Sequence, residues 1–293
     1  YGQEIFEGMK AYRWEDGTIW TFRPEQNARR MNESAYRMAL PPLPEDYFLG
    51  SIEALVRADA DWVPSGEEQS LYLRPFMFAS EPFLGVRAAH TVEYLVVASP
   101  VGAYFAGGVA PVSIWVETEL HRAGPGGTGA AKCGGNYASS LLPQVQAAER
   151  GYEQVCFLDG RSATNLEELG GMNIMIVLDD GTLATPELTG SILPGVTRSS
   201  IIHLMNNSGH PVAERPISFA ELREGLDSGK ITEVFACGTA AVITPIGKLG
   251  WTDGEIQVGD GGPGELTMSI REELTGIQTG KVADRFGWMQ RLV

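Results

Sequence analysis

The stretch NIMIVLDDGTLA, residues 173–184, decides how the strands of this chain run. An apolar run of β-type residues ends at Asp180-Gly181, and a second such run starts at once. Asp and Gly both tolerate positive φ, so the pair reads as a tight hairpin turn within 172–184. The same pair occurs twice more: Asp16-Gly17 precedes TIWTF (18–22), and Asp253-Gly254 precedes EIQV (255–258). Three hairpins imply antiparallel pairing in widely separated parts of the chain.

Working outward, Pro24 opens a helical pattern, with Ala28, Met31, Ala35 and Met38 spaced 3, 4 and 3. A second helix is predicted from Pro44 to about Val63. SLYLRPFMF (70–78), TVEYLVVAS (91–99) and PVSIWVETE (111–119) read as strands. HRAGPGGTGAA (121–131) is full of structure breakers and reads as a linker or an active-site loop. Beyond it the pattern predicts a helix at about 136–150 and a strand at QVCFLD (154–159). Helices at 197–207 and 218–227, a long strand pair at 232–258 and a last helix at about 263–277 follow. Strands and helices mix without a βαβ beat, so the expected class is α+β rather than a Rossmann fold. No internal repeat is apparent.

Composition narrows the function. The chain has 293 residues, enough for two domains, with 43% hydrophobic and 20% charged residues. Its net charge of −15 repels phosphate backbones and anionic lipid surfaces, which argues against nucleic acid or a membrane as partner. The longest apolar runs fall far short of the roughly 20 residues of a membrane helix. Three dispersed cysteines, Cys133, Cys156 and Cys237, imply neither a disulfide framework nor a zinc cluster, and a reducing cytoplasm is the default. The four histidines show no metal spacing. The first residue is Tyr1, not Met, so an amino-terminal part is expected to be missing.

Few residues stand out chemically. Of five lysines, Lys230, Lys248 and Lys281 sit beside Gly in expected turns, and Lys10 lies in EGMKAYR, exposed or paired with Glu7. Lys132 follows the Gly-rich loop and precedes an expected helix start, with no carboxylate within four residues. A desolvated lysine there is a nucleophile or Schiff-base former; a structural loop residue is the plainer reading. GPGGTGAAK has neither P-loop spacing nor the GxGxxG pattern. Leu193-Pro194-Gly195-Val196-Thr197-Arg198 leads directly into a helix, so the N–H groups of Val196 and Thr197 suit an anion or simply a cap. Gly238-Thr239-Ala240 is a further turn with backbone donors. Glu167-Glu168 is either a solvated pair or a partner for a cofactor cation.

These pieces occur in one order: FEGMKAYR (6–13), FRPEQNARRMN (22–32), LYLRP (71–75), EPFLGV (81–86), SPVGAYF (99–105), GGTGAAKCGGNYASSL (126–141), EELGGMN (167–173), TPELTGSILPGVTR (185–198) and EVFACGTAAVITP (233–245). The series resembles the branched-chain amino-acid aminotransferases, pyridoxal-phosphate enzymes of fold type IV, over nearly the whole chain. The resemblance implies a two-domain fold with mixed, largely antiparallel sheets and flanking helices. A smaller domain would span 1–120, a loop 121–131, and a larger cofactor domain 132–293.

It also implies roles. Lys132 matches the lysine that holds the cofactor, Tyr137 the tyrosine on its phenolic oxygen, and Glu168 the acid at its pyridine nitrogen. Arg30 matches the phosphate clamp, with Val196, Thr197 and Thr239 as further phosphate-side groups. Tyr1, Phe6, Tyr72, Arg74, Tyr104 and Gly171 match the substrate pocket, with Val86 reaching in from a second subunit. Thr239 and Ala240 would bind the substrate carboxylate. The implied activity moves an amino group between Leu, Ile or Val and 2-oxoglutarate by a ping-pong route, in a cytoplasmic homodimer or an assembly of dimers. A Cys-x-x-Cys pair carried by some relatives is replaced here by Ala241 and Thr244.

Overall fold

The computed structural model describes residues 1–102 and 109–293. Residue contacts divide the chain into two compact units. One comprises 1–106, 131–134 and 273–293; the other comprises 107–130 and 135–272. This division differs from the expected one at both ends. Strand β6 (Val112–Glu117) pairs with strands of the second unit, and the C-terminal strand β15 (Met289–Arg291) pairs within the first.

In the first unit, β1 (Glu4–Phe6), β2 (Met9–Arg13), β3 (Ile19–Phe22), β4 (Ser70–Ala79), β5 (Val92–Val101) and β15 form one antiparallel sheet. The Asp16-Gly17 turn joins β2 to β3, with Gly17 at φ 85°. β1 and β2 pair with different parts of β4, Phe76–Phe78 and Leu71–Leu73. The chain crosses between them at Glu7-Gly8, where the Glu7 N–H donates to Pro75 O at 2.7 Å. Helix α1 (Pro24–Arg37) starts at its proline and buries Ala28, Met31 and Ala35, as the spacing predicts. Helix α2 (Glu45–Ala58) is shorter than expected: it ends at Ala58 and a single 3-10 turn covers Ala60–Trp62. Phe48, Ile52 and Val56 of α2 join Ile5, Met31, Leu71 and Leu73 in one core. Each such side chain contributes about 1.5–3 kcal/mol on burial.

The second unit holds α3 (Gly134–Glu149), β7 (Gln154–Leu158), β8 (Leu166–Leu169), β9 (Asn173–Leu178), β10 (Leu183–Thr185) and α4 (Val196–Asn207). It continues through β11 (Val212–Glu214), α5 (Phe219–Ser228), β12 (Ile231–Gly238), β13 (Val242–Trp251), β14 (Gly254–Gln257) and α6 (Glu265–Gln278). Its strands run in the order β11-β10-β9-β12-β13-β6-β7-β8, with β14 on β13. β8 also pairs with β9, so the path from β9 round to β8 closes on itself. The hairpins at 179–182 and 251–254 are antiparallel as expected, with Gly181 at φ 81°. β6 lies parallel to both β13 and β7, and β10 parallel to β11, so the sheet is mixed. Lys248 lies within β13 rather than in a turn. β8 was not anticipated at all, because LEEL offers two carboxylates where a buried strand normally carries apolar residues.

Candidate active site

In the first unit, Lys132 is held by its backbone at two points. Phe6 N–H donates to Lys132 O at 3.0 Å, and Lys132 N–H donates to Ser34 Oγ of α1 at 2.9 Å. Ser34 is fully buried. Two residues on, Gly134 N–H donates to Glu4 Oε1 at 2.6 Å. The Lys132 Nζ lies 4.7 Å from the centre of the Phe6 ring. The guanidinium of Arg74 covers the other members of this group, 4.8 Å from the Phe6 ring and 5.2 Å from that of Tyr72. It also donates to Tyr72 Oη at 2.9 Å. Phe6, Tyr72, Arg74 and Lys132 are thus one cluster.

Arg30, on α1, is buried against Glu7. Its Nε donates to Oε1 and its Nη2 to Oε2, both at 2.8 Å. Asn27, one turn earlier on α1, adds a 2.8 Å bond to Glu7 Oε2. Glu7 is completely buried, and both of its oxygens are taken up by α1. Tyr1 and Val86 are surface residues, 90% and 85% exposed, in a segment where Tyr1 Oη donates to Leu84 O at 3.0 Å. Tyr104 lies outside the described residues.

In the second unit, Glu168 is buried on β8 at a register break. Cys156 pairs with Leu169 and Leu158 with Leu166, so three steps on β8 oppose two on β7. A bulge of this kind re-aims side chains. Here both glutamates point to buried polar partners. Glu168 Oε1 accepts from Arg122 Nη1 at 2.9 Å and from Leu193 N–H at 2.7 Å. Glu167 accepts from the Ser191 hydroxyl. Burial pushes the Glu167 carboxyl above its usual range; the Ser191 bond opposes this, the Asp159 charge adds to it, and Arg122 and His121 also oppose it. Cys156 and Cys237 are pushed up to about 12, chiefly by burial, with Glu168 adding to both. The glutamate pair is therefore enclosed by protein, which replaces the plain reading of a solvated surface pair.

The segment that bonds both glutamates runs on into α4. Gly195 precedes the helix and supplies no side-chain cap, leaving the first N–H groups, at Val196 and Thr197, to another acceptor. A Cβ on Gly195 would collide with Asn173 Oδ1, so close approach of these two stretches of chain requires glycine. Asn173 also donates to Leu193 O at 3.0 Å. Tyr137, on the first turn of α3, passes the Gly171 backbone: a Cβ there would lie 3.7 Å from its ring. Thr239 and Ala240 form the turn between β12 and β13, half-buried and exposed respectively.

Comparison with known proteins gives the family. The sequence profile of the class IV amino-transferases matches residues 4–249. A branched-chain-amino-acid aminotransferase of Mycolicibacterium smegmatis is 56% identical, with 100% of this chain and 80% of that protein covered. The chain belongs to the class IV aminotransferases, in their branched-chain-amino-acid group. The crystal structure of the Escherichia coli branched-chain amino acid aminotransferase superposes with a TM-score of 0.85 at 33% identity, covering 100% of this chain and 91% of that one. That of the Thermobaculum terrenum enzyme in its PLP-form gives 0.82 at 25% identity, covering 100% and 90%.

Four residues that bond the candidate site residues, two in each unit, escaped sequence reasoning in that role: Glu7 and Ser34, and Arg122 and Ser191. Arg122 left the clearest trace, as a lone arginine among the glycines of 121–131. Glu7 left one too, an acid between Phe6 and Gly8 with an arginine-rich helix to follow. Ser34 and Ser191 left none, since a serine that bonds a backbone group or a carboxylate through space has no sequence pattern.

Proposed function

We propose that this aminotransferase moves the amino group between Leu, Ile or Val and 2-oxoglutarate by a ping-pong route, using pyridoxal 5′-phosphate. The observation that carries the reading is Lys132, whose N–H and C=O are both fixed while its amine sits against an aromatic ring. The donor chemistry suits the cofactor. An uncapped helix start and a buried arginine fit a phosphate, and a buried carboxylate fits a pyridinium nitrogen. When bound, the cofactor supplies an electron sink for cleavage of a bond at the substrate Cα.

The residues divide the work. Lys132 would hold the cofactor covalently, and its amine, when free, would move the proton at the substrate Cα. Glu168 keeps the pyridine nitrogen protonated. Tyr137 holds the phenolic oxygen. Arg30, the α4 N–H groups of Val196 and Thr197, and Thr239 hold the phosphate. The Thr239 and Ala240 N–H groups take the substrate α-carboxylate. The resemblance gives Phe6, Tyr72, Tyr1 and Gly171 to the substrate side chain, and Arg74 to the second carboxylate of 2-oxoglutarate.

The working form is a homodimer or an assembly of dimers, with Val86 entering the pocket of a second copy. Leu84, Val86, Leu95 and Val97 are exposed apolar residues of the first unit, in keeping with a covered surface. The cytoplasm is the matching compartment, the three cysteines being unpaired and buried. Sedimentation should show a dimer or larger at working concentration; an active monomer would refute this part.

Lys132→Ala tests the whole. The variant should lose transamination, yet still bind cofactor, and borohydride should fix no cofactor to it. Lys10→Ala should leave the reducible link intact. Cofactor mapped to Lys10, or normal turnover by Lys132→Ala, would overturn the site.

A further inference from the structure

We infer that Arg122 is a positioning residue for this site: it holds Glu168 as a carboxylate and fixes the plane in which that carboxylate meets the cofactor ring. The inference rests on the reading, given above, that Glu168 faces the pyridine nitrogen.

Four buried polar groups in the second unit make the case. Glu168, Arg122, Ser191 and Glu167 are each no more than 5% exposed. Glu168 Oε1 takes two fixed donors from separate stretches of chain, the Arg122 guanidinium at 2.9 Å and the Leu193 N–H at 2.7 Å. Two donors on one oxygen fix both the position and the rotation of the carboxylate.

The guanidinium is itself anchored. The same Nη1 donates to Ser191 O at 3.0 Å, and Nη1 and Nη2 reach Gly129 O at 3.5 and 3.4 Å. The Arg122 main-chain oxygen accepts from Ser139 Oγ of α3 at 2.7 Å. Ser191 is tied in turn, its hydroxyl to Glu167 and to Thr189 Oγ1. The loop at 121–131 therefore has a task beyond linkage: it delivers one guanidinium to the acid.

Charge logic gives the consequence. A carboxylate buried without a counter-charge neutralises itself by taking up a proton. A neutral acid has no charge to stabilise a protonated pyridine. A lysine at 122 would supply a point charge but not the Nη1–Nη2 fork on Gly129 O that anchors the guanidinium.

The test uses apo-protein and two ligands, pyridoxal 5′-phosphate and its 1-deaza analogue, in which CH replaces the ring nitrogen. Both carry the same aldehyde and phosphate, so the ratio of their dissociation constants isolates the ring-nitrogen contact. In the wild type the ratio should favour pyridoxal 5′-phosphate by roughly tenfold or more, the strength of a charge-assisted hydrogen bond. Arg122→Met should bring the ratio close to one, and Arg122→Lys should lower it. Adding Arg122→Met to Glu168→Gln should change the ratio no further. Thermal melts identify folded variants, and Arg122→Lys stands in if Arg122→Met does not fold. A folded Arg122 variant with the wild-type ratio overturns the inference. A wild-type ratio in Glu168→Gln overturns instead the placing of Glu168 at the nitrogen, and the inference falls with it.

Discussion

In the first unit Arg30 meets Glu7 through two parallel bonds of 2.8 Å, and Asn27 adds a third to the same carboxylate. In the second unit Arg122 meets a single oxygen of Glu168 through Nη1, and Nη1 and Nη2 also reach the carbonyls of Ser191 and Gly129. Both pairs are buried arginine–glutamate contacts, yet they are built in opposite senses. Glu7 has both oxygens committed to the protein, so under the proposed function it is the support and Arg30 the member given to the ligand. Arg122 is the more widely bonded member of its pair, so under the proposed function it is the support and Glu168 the member given to the cofactor. Under that reading the same two residue types would serve an anion in one unit and a cation in the other, according to which partner the protein saturates.

The largest effect should come from removing the support of the first pair. Glu7→Ala leaves a buried guanidinium without its counter-charge, and breaking such a pair costs about 3–5 kcal/mol of stability. Urea unfolding of the apo-protein measures it. A Glu7→Leu, Arg30→Met double variant should recover much of the loss, because a well-packed apolar pair replaces the charges. A cost near zero for Glu7→Ala would show that Arg30 finds another partner, and the comparison would break.

Glu168→Gln comes next, and its signature is kinetic. The amide oxygen can still accept from Leu193 N–H and Arg122, so folding should survive. The charge is gone, and kcat/KM should fall by an amount worth about 2–4 kcal/mol, the loss of one preorganised electrostatic partner. Steady-state transamination of leucine with 2-oxoglutarate reads it. Near wild-type turnover would move the role to Glu167.

Arg30→Lys should be milder in stability but selective in binding. Lysine keeps the charge and loses the two-pronged contact with Glu7, so its ammonium is no longer aimed. Affinity for pyridoxal 5′-phosphate should drop by roughly tenfold, about one charge-assisted bond, while affinity for unphosphorylated pyridoxal stays put. Equal losses for both ligands would mean that Arg30 does not serve the phosphate.

The two pairs also mark how far sequence reading reaches. Asp-Gly turns exposed the hairpins, because their cause is local: two residues that accept positive φ. The order of motifs singled out Lys132, Arg30 and Glu168 as candidates, because each sits in its own short run. The partners stayed hidden because they are through-space facts. Glu7 and Arg30 are 23 residues apart and meet only because Glu7 lies in the crossing between two strands that share β4. Arg122 lies among glycines that give it no periodic context. The β8 bulge was illegible for a related reason: LEEL has no alternation to read, and its strand character comes from being paired on both sides by β7 and β9. Parallel pairing of β6 was equally invisible, since no turn signal joins strands brought together by a long connection.

A third buried glutamate, Glu167, sharpens the contrast at the smallest scale, because its bonded partner is a hydroxyl rather than a guanidinium. Burial raises its pKa, against the pull of the Ser191 bond, with the Asp159 charge raising it further and the Arg122 and His121 charges opposing. Asp159 itself goes the other way: burial opposes its charge, but bonds from the Asn165, Ser162 and Thr164 N–H groups and the Ser162 hydroxyl hold it well below the usual carboxylate range. The sign for Glu167 follows from linkage. Over the window from the ordinary carboxylate value up to its raised one, the folded protein holds a proton there that the unfolded chain has released. Stability contributed by this group is therefore present below that window and lost as pH rises through it. Glu167→Gln cannot titrate, and its amide oxygen can still accept from Ser191. The difference in unfolding free energy, variant minus wild type, should climb across the window and level off above it. The other carboxylates remain in both proteins, and Asp159, held well below the window, stays ionised across it in both. Urea unfolding at a series of pH values draws the curve. A flat difference, or one that falls with pH, would mean that Glu167 stays ionised in the folded protein, and that Arg122 serves both acids rather than one.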